Sequence, residues 1–223
     1  EYFVLCGAKA LAVPLKFGQQ MVVEEIPQKG VLRWSTIVQG QSWFTAEFHR
    51  NTFDIINATD ERTALTVRHL LSEGRRLQPL FDLEKAGYFV QCIIDFNLQW
   101  GLGSSSSLVS NLAWWLDTDP FALYRTSYRG SGYDVYCARA KNPIICRLNG
   151  GKPEVKEISF RPSFTDNLYF AYLGRKQDSQ ESVRHFRADQ FENDEIISEI
   201  SRLTEEMVTA GTLEDFMKVM NDH

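Results

Sequence analysis

Gly101-Leu-Gly-Ser-Ser-Ser-Ser107, within the run Gln99-Trp-Gly-Leu-Gly-Ser-Ser-Ser-Ser-Leu-Val-Ser-Asn-Leu-Ala-Trp-Trp-Leu116, decides how this chain is read. Two glycines and four serines stand directly before a strongly apolar segment. Gly87 to Asp95, rich in β-branched and aromatic residues, precedes them as a strand, and Leu108, Leu112, Trp115 and Leu116 follow at helical spacing. The local order is strand, tight turn, buried helix. A flexible linker does not run straight into a helix that must be buried. A helix start leaves roughly four backbone N–H groups unpaired and carries about half a positive charge. Glycines let the backbone approach a ligand closely, and a serine hydroxyl can cap the helix or ligate Mg2+. The stretch therefore has the makings of a phosphate site, with a purely structural turn as the alternative. It is neither a Walker-type loop, lacking Gly-Lys-Ser/Thr, nor a dinucleotide fingerprint, lacking the third glycine.

Before this run the sequence reads as strands at Tyr2 to Leu5, Ala10 to Val13, Gln20 to Glu25, Gly30 to Val38 and Ser42 to Phe48. From Asp60 the period becomes helical, with Ala64, Val67, Leu70 and Leu71 on one face and Gly74-Arg75-Arg76 as the closing signal. After the run, Asp119-Pro120 opens a short helix through Tyr128. Strands are expected at Tyr133 to Ala140, Pro143 to Leu148, Val155 to Phe160 and Leu168 to Leu173, with a turn at Asn149 to Pro153. Asp178 begins a capping box with Ser179 as a competing cap, Asp194 to Ala210 is amphipathic, and Thr212 starts a last helix.

The 223 residues carry 24 basic and 29 acidic side chains, a net charge of -5, and no basic run longer than Arg75-Arg76. Nucleic acid and anionic membrane are therefore not the expected partners. No apolar stretch approaches the ~20 residues that span a bilayer. Cys6, Cys92, Cys137 and Cys146 lack metal-ligand spacing and read as buried thiols in a reducing cytoplasm. The chain opens in a strand-like run and closes in a helical one, so both ends read as cut.

Three stretches, whose order and spacing along the chain agree with the family's, carry a resemblance to a known family. Gly101 to Ser107 resembles the phosphate-binding motif of the GHMP kinases, named for galactokinase, homoserine kinase, mevalonate kinase and phosphomevalonate kinase. Glu1-Tyr-Phe-Val-Leu-Cys-Gly-Ala-Lys-Ala-Leu-Ala12 resembles the family's opening motif. Gly130-Ser-Gly-Tyr-Asp134 resembles the Ser-Gly-x-Asp that carries its catalytic aspartate, and its Gly-Tyr-Asp is similar to a bacterial mevalonate-kinase-like subgroup.

The resemblance implies an α+β fold of two domains. Residues 1–160 would form an ATP-binding and catalytic domain with a mixed sheet and helices, and residues 161–223 a partial C-terminal α/β domain. It implies an ATP- and Mg2+-dependent small-molecule kinase acting on a mevalonate-like alcohol. Gly101, Leu102, Gly103, Ser104, Ser105 and Ser106 would wrap the nucleotide phosphates, Ser105 would stand nearest Mg2+, and Asp134 would face the substrate hydroxyl. A homodimer is compatible with this reading. A binder that kept the fold without turnover is the second hypothesis, and a structural interaction domain the third.

The sequence departs from the family pattern in places. Tyr2 stands where mevalonate kinases have histidine, and a third glycine-rich motif is absent. The metal-binding glutamate expected about a helix-length before Asp134 has no counterpart in Phe121 to Tyr128; Asp117 and Asp119 are nearby, the latter reading better as a helix cap. Lys9 reads either as a phosphate contact or as a solvated lysine.

Overall fold

The computed structural model describes residues 2–80, 86–176, 179–186 and 194–223. In chain order the elements are β1 (Ala10–Ala12), β2 (Gln19–Ile26), β3 (Val31–Val38), β4 (Gln41–His49), β5 (Ile55–Ala58), α1 (Glu61–Leu77), β6 (Gly87–Ile94), α2 (Ser104–Trp115) and α3 (Pro120–Ser127). There follow α4 (Tyr133–Cys137), β7 (Ile144–Asn149), β8 (Lys152–Glu157), α5 (Ser179–His185), α6 (Asp194–Thr209) and α7 (Leu213–Asp222). The class is α+β. The chain divides into two compact units, one of Glu1–Pro14 with Arg129–His223 and one of Leu15–Tyr128. The boundary expected near residue 160 falls inside the first, because β1 pairs with β7 and draws the start of the chain to its later half.

In the unit Leu15–Tyr128, alternation of side chains makes one face of a mixed sheet apolar. Leu32, Trp34 and Thr36 of β3 are buried, as are Phe44, Ala46 and Phe48 of β4 and Tyr88, Val90, Cys92 and Ile94 of β6. Pairing sets these in rows: Leu32 opposite Phe48 and Tyr88, Trp34 opposite Ala46 and Val90, Thr36 opposite Phe44 and Cys92. Each fully buried large apolar side chain is worth about 1.5–3 kcal/mol. The indole N–H of Trp34 donates to Thr36 Oγ1 at 3.0 Å, so the row holds no unsatisfied donor there. The strand order is β2-β6-β3-β4-β5, with β3 and β6 parallel and the other pairs antiparallel. The edge strand β5 is short and includes the polar Asn57, and the strand pattern did not predict it.

Helices α1, α2 and α3 pack together in this unit. Asp60 caps α1 by accepting from Thr63 N at 2.7 Å. Gly74, read as a stop signal, lies inside the helix instead. A Cβ there would come within 2.3 Å of Leu116 Cδ1, so the glycine serves close approach to the residue that caps α2, and α1 continues to Leu77.

The unit of Glu1–Pro14 and Arg129–His223 holds an antiparallel sheet of order β1-β7-β8. Gly150 and Gly151, at φ 56° and 75°, make the tight β7–β8 turn that their sequence predicts. Strand β8 begins at Lys152, earlier than expected, and includes Pro153, which an edge strand accommodates. Phe160, Phe164, Met207 and Phe216 form a core against which Leu11 and Leu213 pack. Thr212 caps α7, accepting from Asp215 N at 3.1 Å and donating to its carboxylate at 2.7 Å.

Three strand expectations are corrected here. Tyr2–Cys6 is a 3-10 helix closed by Gly7 N to Val4 O and Ala8 N to Phe3 O, since a short apolar run has no period of its own. Tyr133–Cys137 is helical although rich in β-formers, because Gly132 at φ 69° turns the chain into a helix start. Leu168–Leu173 forms no strand among the described residues; Tyr169 and Leu173 are 85% and 87% exposed. The Asp178 cap lies outside the described residues. No described helix is long and apolar enough to cross a membrane.

Candidate functional site

The turn before α2 is built from two glycines that other residues would strain. Gly101 and Gly103 lie at φ 72° and 78°, the left-handed region, and a Cβ on either would meet nothing within 4 Å. Their requirement is conformational, and the space above them is open. Gly103 caps α2 and, having no side chain, makes no side-chain cap bond to the first turn. The helix start presents its positive end to whatever approaches it. Leu102 and Ser104 are half-buried, Ser105 is exposed, and Ser106 is buried.

Gln19, at the start of β2, holds this turn in place. Ser107 Oγ lies 2.8 Å from Gln19 Oε1 and 3.0 and 3.1 Å from the carbonyls of Gly103 and Ser104. Asn111, one turn on, donates to Gln19 O at 2.8 Å. Ser107 and Asn111, four residues apart on one face of α2, make a polar pair by which sequence reasoning could have found the tether. Ser107 is therefore engaged within the protein, while the open part of the turn runs from Gly101 to Ser105.

Ser105 has a partner that the sequence did not announce. Its hydroxyl lies beside the phenol of Tyr128, the residue closing α3 and stacked on Tyr124 at 5.4 Å. Burial pushes the Tyr128 phenol above the ordinary tyrosine value, and the nearby Ser105 hydroxyl works in the opposite direction. Asp119 is occupied as the cap of α3, accepting from Ala122 N at 2.6 Å, and the carbonyl of Asp117 accepts from Gln78. No acidic residue stands on α3.

These donors bear on Mg2+, which the sequence resemblance implies. Among the described residues no group of three or more His, Cys, Asp and Glu converges as a metal cage. Mg2+ commonly keeps several waters and is held through one or two protein oxygens plus substrate phosphates. The exposed hydroxyl of Ser105 fits that second arrangement, with the ion arriving on a nucleotide.

Asp134 belongs to the other unit, in the first turn of α4. It is half-buried between the buried Ser131-Gly132 and Val135, and its carboxylate accepts from Val135 N at 3.1 Å. Burial, followed by the charge of Asp134, raises the thiols of Cys137 and Cys146 to about 11. Lys9 is committed elsewhere: its amine is ion-paired with Glu205, its N–H donates to Ser201 Oγ at 3.1 Å, and its carbonyl accepts from Thr204 at 2.9 Å. It fastens α6 to β1, which corrects the phosphate reading. Of the adjacent tryptophans, Trp115 packs edge-on to Tyr88 at 5.9 Å, while Trp114 is 68% exposed.

No protein-family model matches the chain, and no curated protein matches it in sequence. Solved structures do match its fold. Mevalonate kinase from Methanococcus jannaschii superimposes with TM-score 0.64 at 16% identity, over 100% of this chain and 72% of that one. The L. major mevalonate kinase in complex with R-mevalonate gives 0.61 at 17%, over 100% and 69%. A D-glycero-D-manno-heptose 1-phosphate kinase from Bacteriodes thetaiotaomicron gives 0.62 at 15%, over 98% and 70%. The chain thus shares the α+β fold of these mevalonate and heptose 1-phosphate kinases.

Proposed function

We propose that this chain is an ATP-dependent small-molecule kinase of the GHMP type, transferring the γ-phosphoryl group to an alcohol, mevalonate-like by resemblance. The observation that carries the reading is the start of α2: two left-handed glycines, open space above them, and a cap residue with no side chain of its own. Such a turn offers converging amides and a positive helix end to a polyphosphate. Phosphoryl transfer asks mostly for alignment and charge neutralisation, which amides and hydroxyls supply.

In this scheme the backbone from Gly101 to Ser106 holds the nucleotide phosphates, and Ser105 faces the Mg2+ that accompanies them. The ion, when bound, neutralises charge on the β- and γ-phosphates. The alcohol oxygen attacks the γ-phosphorus as the bond to the bridging oxygen breaks, and a carboxylate oxygen of Asp134 takes the alcohol proton. ADP and a phosphate monoester are the products. The acceptor is a small molecule rather than nucleic acid or a membrane surface, and four cysteines outside any disulfide suit the cytoplasm.

A non-catalytic nucleotide- or metabolite-binding relative is the second reading, favoured by the lack of an acidic residue on α3. ADP release measured against mevalonate, phosphomevalonate, homoserine and simple sugars separates the two. The kinase reading expects turnover with one acceptor class. Silence across the panel while ATP still binds hands the protein to the second reading.

A further inference from the structure

Beside the glycine-serine turn stands a pair of aromatic rings that the phosphate chemistry does not require. Trp100 ends the short 3-10 turn Leu98–Trp100 and is joined directly to Gly101. Phe17, on the segment leading into β2, meets it edge to face, with ring centroids 5.6 Å apart and planes at 71°. Phe17 is nevertheless 48% exposed, forgoing much of the stabilisation that burial would give.

Several hydrogen bonds hold the pair in place. Asp95 Oδ1 accepts from Gly18 N at 2.7 Å, Gly18 O accepts from Asp95 N at 3.3 Å, and Asn97 Oδ1 accepts from Gln99 N at 2.9 Å. These bonds pin the Phe17 segment to the end of β6 and set the turn that carries Trp100. The next residue, Gln19, is the one tied to Ser107 and Asn111 on α2. Rings and turn thus form one fixed arrangement within the unit Leu15–Tyr128.

We infer that Phe17 and Trp100 form a stacking platform for the purine base of the nucleotide. The inference rests on the reading of Gly101 to Ser106 as a phosphate cradle, and it adds what selects the rest of the ligand. Stacking supplies affinity without regard to base identity, because every base has a π-face. The polar side chains flanking the pair, Asp95 and Asn97, already accept from backbone amides. On these rings the base is held by its face, which adenine and guanine share, so adenine and guanine nucleotides are accepted alike.

Calorimetric titration of the full chain with adenosine, ATP, GTP and tripolyphosphate tests this, comparing the unaltered protein with Phe17→Leu and Trp100→Leu. ATP and GTP should bind within about fivefold of each other. Each leucine variant should weaken adenosine, ATP and GTP by about tenfold or more and leave tripolyphosphate unchanged. Trp100→Phe, which keeps a ring, should retain most of the affinity and guards against a folding defect in Trp100→Leu. The platform is overturned if Phe17→Leu binds adenosine and ATP as the unaltered protein does, or if ATP is preferred over GTP by fiftyfold. Failure of tripolyphosphate to bind removes the cradle reading instead, and the adenosine titrations still judge the platform.

Discussion

The hydroxyl of Ser105, in the first turn of α2, lies beside the phenol of Tyr128 at the end of α3, where the two can share a neutral hydrogen bond. A net contribution of about 0.5–1.5 kcal/mol is the ordinary worth of such a bond. A double-mutant cycle of Ser105→Ala and Tyr128→Phe in urea melts should return a coupling energy in that range. Strictly additive losses would mean that the two hydroxyls do not act together.

Gly103→Ala isolates the left-handed cap of α2. An alanine at φ 78° costs roughly 1–2 kcal/mol of conformational strain, with no added clash inside the protein. Its methyl group would project into the open space above the turn. ATP at about 100 times its dissociation constant should stabilise the unaltered protein by ~2.7 kcal/mol, and most of that stabilisation should vanish in the variant. An undiminished thermal shift would place the nucleotide elsewhere.

Asp134→Ala tests the proton acceptor. Loss of general-base assistance should lower kcat by about 10²- to 10⁴-fold. ATP affinity should stay within about threefold, since the proposed phosphate contacts come from the turn before α2. A parallel fall in ATP affinity would make Asp134 part of nucleotide binding instead.

Gly74→Ala sets two local effects against each other. Alanine is favoured over glycine in a helix interior by ~1 kcal/mol, but its Cβ would lie 2.3 Å from Leu116 Cδ1. Overpacking of this kind costs about 1–3 kcal/mol, so a net loss of stability is expected, eased by trimming Leu116 to valine. Thermal melts of the single and double variants decide which effect wins.

Buried thiols make stability fall at alkaline pH. Burial pushes the Cys92 thiol up to about 12, and Cys137 and Cys146 to about 11. The unfolded chain loses these protons near the ordinary thiol value of about 8.5, while the folded chain keeps them. Between the two values the native state binds more protons, so stability present at neutral pH declines as pH rises. Urea melts at neutral pH and at about pH 10 should show the decline, and Cys92→Ala should flatten it.

Much of the region around the candidate site is written locally. Left-handed glycines, the period of α2, the caps at Asp60, Asp119 and Thr212, and the alternation of β3 and β4 all act within a turn or a strand, and each is legible in the sequence. Other features depend on residues far apart in the chain. Gly74 reads as a stop until Leu116 is brought against it; Lys9 reads as a phosphate contact or a solvated lysine until Glu205 pairs with it; Tyr133 to Cys137 reads as strand until Gly132 turns it. Gln19 meets Ser107 and Asn111, and Phe17 meets Trp100, across more than eighty residues. The sequence by itself determined the strand, the glycine turn and the helix, because their causes lie in backbone conformation and side-chain period. Tertiary structure decided the partners of Ser105, Lys9 and Gly74, because packing selects contacts that no local pattern encodes.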